Sequence, residues 1–433
     1  MIEDILTIYG AKEGICNTYT LPGDKSIAHR ALIIGGLPTG EYKVFNYPDS
    51  KDCAATLKVM INLGLEVNKV GQTLFVKSPG YAKFNNYVEE LDCQNSGTAA
   101  RLISGTLAAL SIEGKLIGDS SLSKRPMGRV VTPLREMGAN ISSSKEGLPL
   151  IFSKNEGLMG IEYHMPVASA QVKSCVLIAG FLSKNTTTVW EKLFTRDHSE
   201  RMLKYIGADI EVYGNKISIK NSKIEAKDIY VPGDISSAAF LISLALLGEN
   251  NFIKIEKVSL NERRRKYLDI LKEMGADANY TIEHIVNNEE IGTIEIKSSK
   301  LKGVIIEGEV VPYIIDEIPM LSVLAAFSEG KTIIKSVEEL KYKESNRIEA
   351  IINNLYKCGV NSYFSSGDLI IEGGHNYFNE EISIESFDDH RIAMSFLGIA
   401  MRNSGKTIIN GWSCSEISFP NAINYFKDFL RII

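Results

Sequence analysis

Cysteine, histidine and long apolar runs are scarce in this chain. Six of the 433 residues are cysteines and six are histidines. The cysteines have no C-x-x-C spacing and the histidines have no metal-ligand spacing, which argues against a disulfide framework and a zinc site. The longest apolar run, 238–247, is too short to span a bilayer. We therefore expect free thiols, no metal or organic cofactor and no membrane-spanning helix.

Excess positive charge is also missing. Lysine and arginine total 48 against 53 aspartate and glutamate, a formal net charge of −5. This balance argues against a nucleic-acid binder that uses a broad basic face, so any anion site must be a local group of cations. The first four residues, MIED, lack the basic region of a signal peptide, and we expect a cytoplasmic protein. The length favours two or three domains.

The segment 21–30, LPGDKSIAHR, is the most informative motif that is present. It predicts a glycine turn, an N-cap at Asp24 and an apolar helix behind it. Lys25 begins this helix, and Ser26 and Arg30 share one of its faces because they are four residues apart. A helix N-terminus with these side chains is a candidate anion site. The segment 231–238, VPGDISSA, repeats the turn and cap without the two cations.

A second pattern repeats along the whole chain. Amphipathic helices that end in a glycine before a strand recur at intervals of 68 to 84 residues, with predicted capping glycines at Gly64, Gly138, Gly207, Gly275 and Gly359. Apolar helices that close near Gly40, Gly114, Asn185, Gly248, Gly330 and Gly405 form a parallel series. Six strand–helix–strand–helix–strands units are the simplest interpretation.

The recurrence of the Pro-Gly-Asp motif after three units suggests two lobes of three units each. We predict that lobe one comprises 1–22 and 234–433, and that lobe two comprises 23–233. A cleft between lobes that is faced by helix N-termini is the predicted site for an anionic ligand.

Further motifs stand at predicted helix starts, and each has a simpler structural interpretation. NSGTAAR (95–101) and SAQVKS (169–174) offer glycine, hydroxyl and amide groups, or are ordinary caps. SKRPMGR (123–129) is an anion-binding loop or a solvated one. DEIP (316–319), KYKESNR (341–347) and DDHR (388–391) supply a candidate general base and cations, or structural ion pairs. The run Arg263 to Lys266 is predicted to be a solvated helix face.

Taken together, these motifs resemble the family of 5-enolpyruvylshikimate-3-phosphate synthases. The resemblance extends from Leu21 to Pro420 and is carried by LPGDKS-x-x-x-R, NSGTA-x-R, RPM, KESNR and DHR-x-AM in matching order. It implies a two-lobed inside-out α/β barrel with three βαβαββ units in each lobe. It also implies transfer of the enolpyruvyl group of phosphoenolpyruvate to shikimate-3-phosphate by addition and elimination, in the pathway to aromatic amino acids, without a cofactor.

The resemblance also assigns roles to residues by motif. Groups that would bind phosphoenolpyruvate are Lys25, Gly97, Arg125, Gln171, Arg347 and Arg391. Groups that would bind shikimate-3-phosphate are Lys25, Ser26, Arg30, Ser169, Gln171, Arg196, Asp316 and Lys343. Asp316 would take the proton of the attacking hydroxyl. Lys25 and Glu344 are candidates for proton transfer at the methylene carbon, and His390 would support them.

Two departures from the family pattern bear on these expectations. Some members carry a lysine three residues before the proline of the Phe-Pro near the C-terminus, where this chain has Ile417. Ser-Ala-Gln at 169–171 and Arg196 resemble the branch called class II, which includes glyphosate-tolerant members, whereas Gly97 is the residue of sensitive members. Sensitivity to glyphosate therefore stays open at this point.

Two alternatives to this function are considered. The UDP-N-acetylglucosamine enolpyruvyl transferases share the fold and the donor, but they have Lys-Asn where this chain has Lys25-Ser26 and typically have a cysteine in the loop matching 120–129, which has none here. A non-catalytic binding or scaffold barrel would gain nothing from clustering these ionic residues. Small-molecule substrates are the expected partners, with no nucleic acid, no membrane and a monomeric chain.

Overall fold

The computed structural model describes residues 4–143 and 147–433 as strands, helices and short connections. The strands are β1 Ile5–Ala11, β2 Cys16–Thr20, β3 Thr39–Phe45, β4 Glu66–Val70, β5 Thr73–Pro79, β6 Tyr87–Asp92, β7 Glu113–Ile117, β8 Asn140–Ser143, β9 Leu150–Ser153, β10 Glu162–His164, β11 Thr187–Trp190, β12 Asp209–Tyr213, β13 Lys216–Lys220, β14 Ile229–Tyr230, β15 Phe252–Ser259, β16 Asp277–Val286, β17 Glu289–Lys297, β18 Ile305–Ile306, β19 Lys331–Ile334, β20 Ser362–Ser365, β21 Asp368–Glu372, β22 Ile382–Glu385, β23 Thr407–Asn410 and β24 Leu430–Ile432. The helices are α1 Lys25–Ile33, α2 Lys51–Asn62, α3 Gly97–Ala109, α4 Gly128–Glu136, α5 Ala170–Phe181, α6 His198–Ile206, α7 Ile235–Leu247, α8 Lys266–Glu273, α9 Val311–Ile314, α10 Ile318–Ala326, α11 Arg347–Lys357, α12 His390–Ser395, α13 Leu397–Met401 and α14 Ile423–Phe426.

The chain divides into two compact units. The terminal unit contains the residues up to Leu21 together with Gly233–His284 and Glu290–Ile433, and the central unit contains Pro22–Pro232 and Ile285–Glu289. The sequence-based division treats 234–433 as uninterrupted. In the structure the tip of the β16–β17 hairpin belongs to the central unit instead. Its Asn287 side chain exchanges two hydrogen bonds with the backbone of Tyr230, and this pairing accounts for the difference.

Each unit is built from four-stranded sheets of one pattern. In the described residues the central unit has the orders β14-β3-β5-β4, β6-β7-β9-β8 and β10-β11-β13-β12, and the terminal unit has β16-β17-β15-β2, β18-β19-β21-β20 and β22-β23-β1-β24. One inner strand of every sheet pairs parallel on one side and antiparallel on the other. The first strand of the β3 sheet comes from the end of the central unit, whereas β1 and β2 complete sheets formed mostly by later residues.

The glycines that end the amphipathic helices adopt the predicted conformation. Gly64, Gly138, Gly207, Gly275 and Gly359 all have positive φ, between 72° and 119°, which glycine adopts without steric cost. For the apolar helices, the predicted ends near Gly40 and Gly114 are wrong. Gly40 lies inside β3 and Gly114 inside β7, because the preceding helices already end at Ile33 and Ala109.

Apolar helices form the centre of each unit. In the central unit α1, α3 and α5 are buried along most of their length and pack with one another. In the terminal unit α7 and α10 are buried along their whole length and pack with α13. Burial on all sides explains why these segments are apolar throughout, whereas α6 and α11 have one polar face. The motifs at 21–30, 95–101, 169–174, 231–238 and 316–319 therefore stand where these buried helices begin.

The composition led to expectations about the cysteines and about membrane-spanning helices. All six cysteines lie in the described residues as free thiols, and Cys16 alone is exposed. Within 4–143 and 147–433, no helix combines the length and the apolar character that a bilayer crossing requires.

Candidate active site

The start of α1 has the predicted cap. The Asp24 carboxylate accepts a hydrogen bond of 3.0 Å from the Ile27 backbone N–H, so the helix begins at Lys25. The Lys25 ammonium lies 2.8 Å from Asp52 on α2, and both side chains are largely buried. The carboxylate therefore holds the lysine at the helix N-terminus, where an anion would also be stabilised.

Arg30 is oriented one turn further along α1. Its guanidinium is 3% exposed and donates hydrogen bonds to Ser199 Oγ (2.7 Å), Ser174 Oγ (2.8 Å) and the Ser26 carbonyl (2.7 Å). Burial lowers the pKa of Arg30 to about 10, and the nearby charge of Arg196 acts in the same direction. Arg30 stays protonated at neutral pH. The three hydrogen bonds orient its guanidinium group, and their acceptors are uncharged.

The beginnings of α3 and α5 are joined by side chains. Ser169 caps α5 by accepting from the Val172 N–H at 3.4 Å. The Gln171 amide donates to Thr98 Oγ1 at 3.0 Å, and its carbonyl accepts from Arg101 Nη1 at 2.5 Å. Capping and binding are compatible here, because the Ser169 hydroxyl can still donate while its oxygen accepts.

Gly97 lies between two guanidinium groups. A Cβ placed on it would be 3.0 Å from Arg101 Nη1 and 3.3 Å from Arg125 Nη1. Arg125 is 8% exposed and donates to Asn95 Oδ1 at 2.8 Å, which links the 123–129 loop to the start of α3. The absence of a side chain at Gly97 lets both arginines approach the backbone. The interpretation of 123–129 as a solvated loop is wrong for Arg125, whose partner comes from another motif.

The terminal unit centres on Arg347, the first residue of α11, which is 1% exposed. Its Nε lies 2.8 Å from Asp389 Oδ2, Nη2 lies 2.6 Å from Glu344 Oε2, and Nη1 lies 3.1 Å from Asp316 Oδ1. Lys343 lies 3.3 Å from the same Asp316 oxygen. One guanidinium thus organises three carboxylates. Burial would lower the pKa of Arg347, but these three charges outweigh it and raise that pKa.

Asp389 also caps α12. Its Oδ1 accepts from the Arg391 N–H at 2.9 Å, and the neighbouring His390 is 3% exposed. Burial alone would raise the pKa of Asp389, but the charge and hydrogen bonds of Arg347 lower it overall. The Arg391 guanidinium donates to the Asp316 carbonyl at 2.8 Å and lies 3.4 Å from Glu317 Oε1. The motifs 316–319, 341–347 and 388–391 therefore meet at one place in the terminal unit.

The expected solvated face at 263–266 is wrong for Arg264. This arginine is 2% exposed and donates to the hydroxyl of Ser236, which in turn donates to Glu317 Oε1 at 2.6 Å. Asp234 caps α7 by accepting from the Ser236 N–H at 2.8 Å. The repeated Pro-Gly-Asp motif is the sequence signal that could have located this group.

The predicted residues form two sets, one in each unit. The central cluster comprises Lys25, Ser26, Arg30, Gly97, Arg125, Ser169, Gln171 and Arg196. The terminal cluster comprises Asp316, Lys343, Glu344, Arg347, His390 and Arg391. Ile417 packs against the apolar core of the terminal unit. Sequence reasoning missed Arg101, Ser174, Ser199 and Asp389 as partners of these residues.

Comparisons with known proteins point to one family. The EPSP synthase (3-phosphoshikimate 1-carboxyvinyltransferase) family profile matches residues 12–426. A 3-phosphoshikimate 1-carboxyvinyltransferase of Clostridium tetani is 56% identical over 99% of this chain and 97% of that protein, and one of a Thermoanaerobacter species is 42% identical over 95% and 96%. A solved EPSP synthase structure from Acinetobacter baumannii superposes with a TM-score of 0.87 at 37% identity, covering 99% of both chains.

These comparisons confirm the resemblance and the fold class predicted from the motifs and their spacing, a two-lobed α/β architecture of six repeated units. The matches to the Clostridium tetani protein and to the solved structure each cover 99% of this chain. The chain belongs to the EPSP synthase family, the 3-phosphoshikimate 1-carboxyvinyltransferases.

Proposed function

We propose that this protein transfers the enolpyruvyl (carboxyvinyl) group of phosphoenolpyruvate to the 5-hydroxyl of shikimate-3-phosphate and releases phosphate. The central cluster would bind the anionic and hydroxyl groups of the substrates, and the terminal cluster would move protons.

One observation carries the proposal: Asp316 and Glu344 are held on the same guanidinium, that of Arg347. Two carboxylates beside an anion-binding group are what proton transfer next to an anionic donor needs. An incoming carboxylate that binds Arg347 must share it with both residues. Such sharing weakens their ion pairs and makes them better bases. A scaffold protein would have no use for this arrangement.

The central cluster suits a phosphorylated acceptor. Arg30 and Arg196 would bind its phosphate, Ser26 and Ser169 would donate hydroxyl hydrogen bonds, and Gln171 would hold the donor and the ring hydroxyls. Charge-assisted hydrogen bonds from arginine are well suited to phosphate. Of the residues that would bind the donor, Lys25, Gly97 and Arg125 belong to the central unit, and Arg347 and Arg391 belong to the terminal unit.

The proposed reaction has two steps. In the addition step Asp316 takes the proton of the 5-hydroxyl, the oxygen bonds to C2 of phosphoenolpyruvate, and Lys25 or Glu344 delivers a proton to C3. In the elimination step the C–O bond to phosphate breaks and C3 returns a proton to Lys25 or Glu344, which restores the double bond. The proton held by Asp316 leaves with the phosphate. Lys343 beside Asp316 would hold the acceptor, and the buried His390 would support the proton-transfer groups. Written this way, the atoms and charges of the reaction balance without a metal or cofactor. The arginines can neutralise the charge of the phosphate.

The test is phosphate release from phosphoenolpyruvate by the purified protein. We expect release that depends on shikimate-3-phosphate and is absent with UDP-N-acetylglucosamine, and a chelator should leave the rate unchanged. Binding of both substrates without phosphate release would favour the scaffold alternative. Release with UDP-N-acetylglucosamine alone would favour the rival transferase.

A further inference from the structure

The central unit contains a buried group of charges that the proposed reaction does not use. The Lys173 ammonium on α5 is 0% exposed and lies 2.9 Å from Glu191 and 2.6 Å from Glu200. Glu191 is likewise 0% exposed and Glu200 is 5% exposed. Burying three charges is costly unless they compensate one another, so the lysine holds the two carboxylates in place.

These charges fix the segment that leads into α6. Glu191 accepts hydrogen bonds from the backbone N–H (2.9 Å) and the hydroxyl (2.6 Å) of Thr195. Lys173 also reaches the Thr195 carbonyl at 3.5 Å. Thr195 precedes Arg196 directly, so the residue before this arginine is held at two backbone atoms and at its hydroxyl.

The same charges act on Arg30. Glu200 lies on α6 beside Ser199, whose hydroxyl accepts the hydrogen bond from Arg30 Nε at 2.7 Å. The negative charge of Glu200 also favours the protonated form of Arg30, while burial acts against it. Alternating charges therefore extend from Glu191 through Lys173 and Glu200 to Arg30.

We propose that Lys173 is a positioning residue that sets the two arginines of the acceptor-phosphate site, Arg30 and Arg196, through Glu191, Thr195 and Glu200. The inference rests on the proposed function, in which these arginines bind the phosphate of shikimate-3-phosphate. Without Lys173, two buried carboxylates are left facing each other. The 195–199 segment then shifts to hydrate or separate them, and the arginine fork loses its preset geometry.

The test compares Lys173→Met with Lys204→Met, the same substitution at an exposed position on α6. For Lys173→Met we expect the KM for shikimate-3-phosphate to rise at least tenfold, whereas the KM for phosphoenolpyruvate and kcat change less than threefold. Discrimination between shikimate-3-phosphate and shikimate, which lacks the phosphate, should fall by the same factor. Lys204→Met should match the unmodified protein in every constant.

Two further variants keep the inference testable if Lys173→Met folds poorly. Thr195→Val removes one hydroxyl contact to Glu191 at nearly constant volume, and it should raise the same KM about threefold. Adding Glu200→Gln to Lys173→Met removes one unpaired charge and should restore part of the stability but not the acceptor affinity, because the link to Arg30 is still changed.

The two proposals fail in distinguishable ways. If the unmodified protein releases no phosphate with shikimate-3-phosphate, the proposed function is wrong. If it does, and folded Lys173→Met or Thr195→Val raises both KM values equally or neither, then Lys173 is a structural residue only. Circular dichroism and thermal melting of each variant establish that it is folded before the kinetics are compared.

Discussion

The two units have the same architecture but use their key arginines differently. In the central unit, Arg30 donates hydrogen bonds to two hydroxyls and a carbonyl. In the terminal unit, Arg347 contacts three carboxylates. Neutral partners orient an arginine and leave its charge for a ligand. An arginine with carboxylate partners instead spends its charge on holding those carboxylates and shifting their pKa. The comparison teaches that one helical framework can hold an arginine by neutral groups in one half and by carboxylates in the other.

The sharpest test of this division is Asp316→Ala. If the terminal unit moves protons, losing this base should lower kcat by about 10²–10⁴-fold. The dissociation constant for shikimate-3-phosphate should change much less, because the residues proposed to bind its phosphate lie in the central unit. Stopped-flow phosphate release gives the rate, and calorimetric titration gives the affinity. Near-normal turnover would assign the base to another residue.

Asp316→Asn serves as the matched control. It keeps the volume and an oxygen that Lys343 and Arg347 can contact, but it cannot take a proton. A similar rate loss in both variants supports proton transfer, whereas a loss confined to the alanine variant points to positioning of the two cations.

A pair of arginine-to-lysine substitutions tests the assignment of substrates to units. Arg30→Lys keeps the charge but loses the fork that reaches Ser174 and Ser199, so the KM for shikimate-3-phosphate should rise about 10- to 100-fold. Arg391→Lys should raise the KM for phosphoenolpyruvate instead. Initial rates with each substrate varied in turn provide both constants. If either variant raised the KM values of both substrates equally, the assignment of one substrate to each unit would be wrong.

The next prediction concerns stability in acid. The pKa of Asp389 is lower in the folded protein than in the unfolded chain, so its ionised form stabilises the fold at neutral pH. This contribution is fully present above the unfolded pKa of about 3.9 and is lost as pH falls through the folded value. Asp389→Asn should therefore reduce the free energy of unfolding by about 1–3 kcal/mol at pH 7. The deficit should shrink below pH 4.

Denaturant titrations between pH 3 and pH 7 measure this difference. Asp388→Asn is the control, because Asp388 is exposed and its backbone has a positive φ that asparagine tolerates. A deficit for Asp389→Asn that stays constant across this range would mean that Arg347 does not depend on the ionised carboxylate.

Local signals in the sequence predicted much of the fold and part of the site. The cap at Asp24 and the glycines with positive φ depend on neighbours within a few residues, so their pattern could be interpreted directly. Arg264 could not, because its partner Ser236 lies 28 residues away and only the packing of α7 brings them together. The partners of Lys173 could not be predicted either, because Glu191 and Glu200 come from later segments that only the fold brings to α5.

Gly97 offers the smallest predicted effect and the finest test of the central cluster. Its φ lies outside the left-handed region, so alanine is compatible with the backbone. The added methyl group would stand 3.0 Å from Arg101 Nη1 and 3.3 Å from Arg125 Nη1, which obliges both guanidinium groups to move by a few tenths of an ångström. Ser96→Ala is the control: it removes the α3 cap, whose oxygen accepts from the Ala99 N–H, and should affect stability by about 1 kcal/mol without changing ligand constants.

Glyphosate, the anionic inhibitor that takes the donor's place in this family, is slightly longer than phosphoenolpyruvate. A methyl group on a close-packed wall should therefore disfavour the inhibitor more than the donor. Overpacking costs about 1–3 kcal/mol, and movable guanidinium groups should keep the difference near the lower end. We expect Gly97→Ala to raise the inhibition constant about fivefold more than the KM for phosphoenolpyruvate. Equal changes in both constants, or no change in either, would place Gly97 away from the donor and leave Arg125 without its proposed role there.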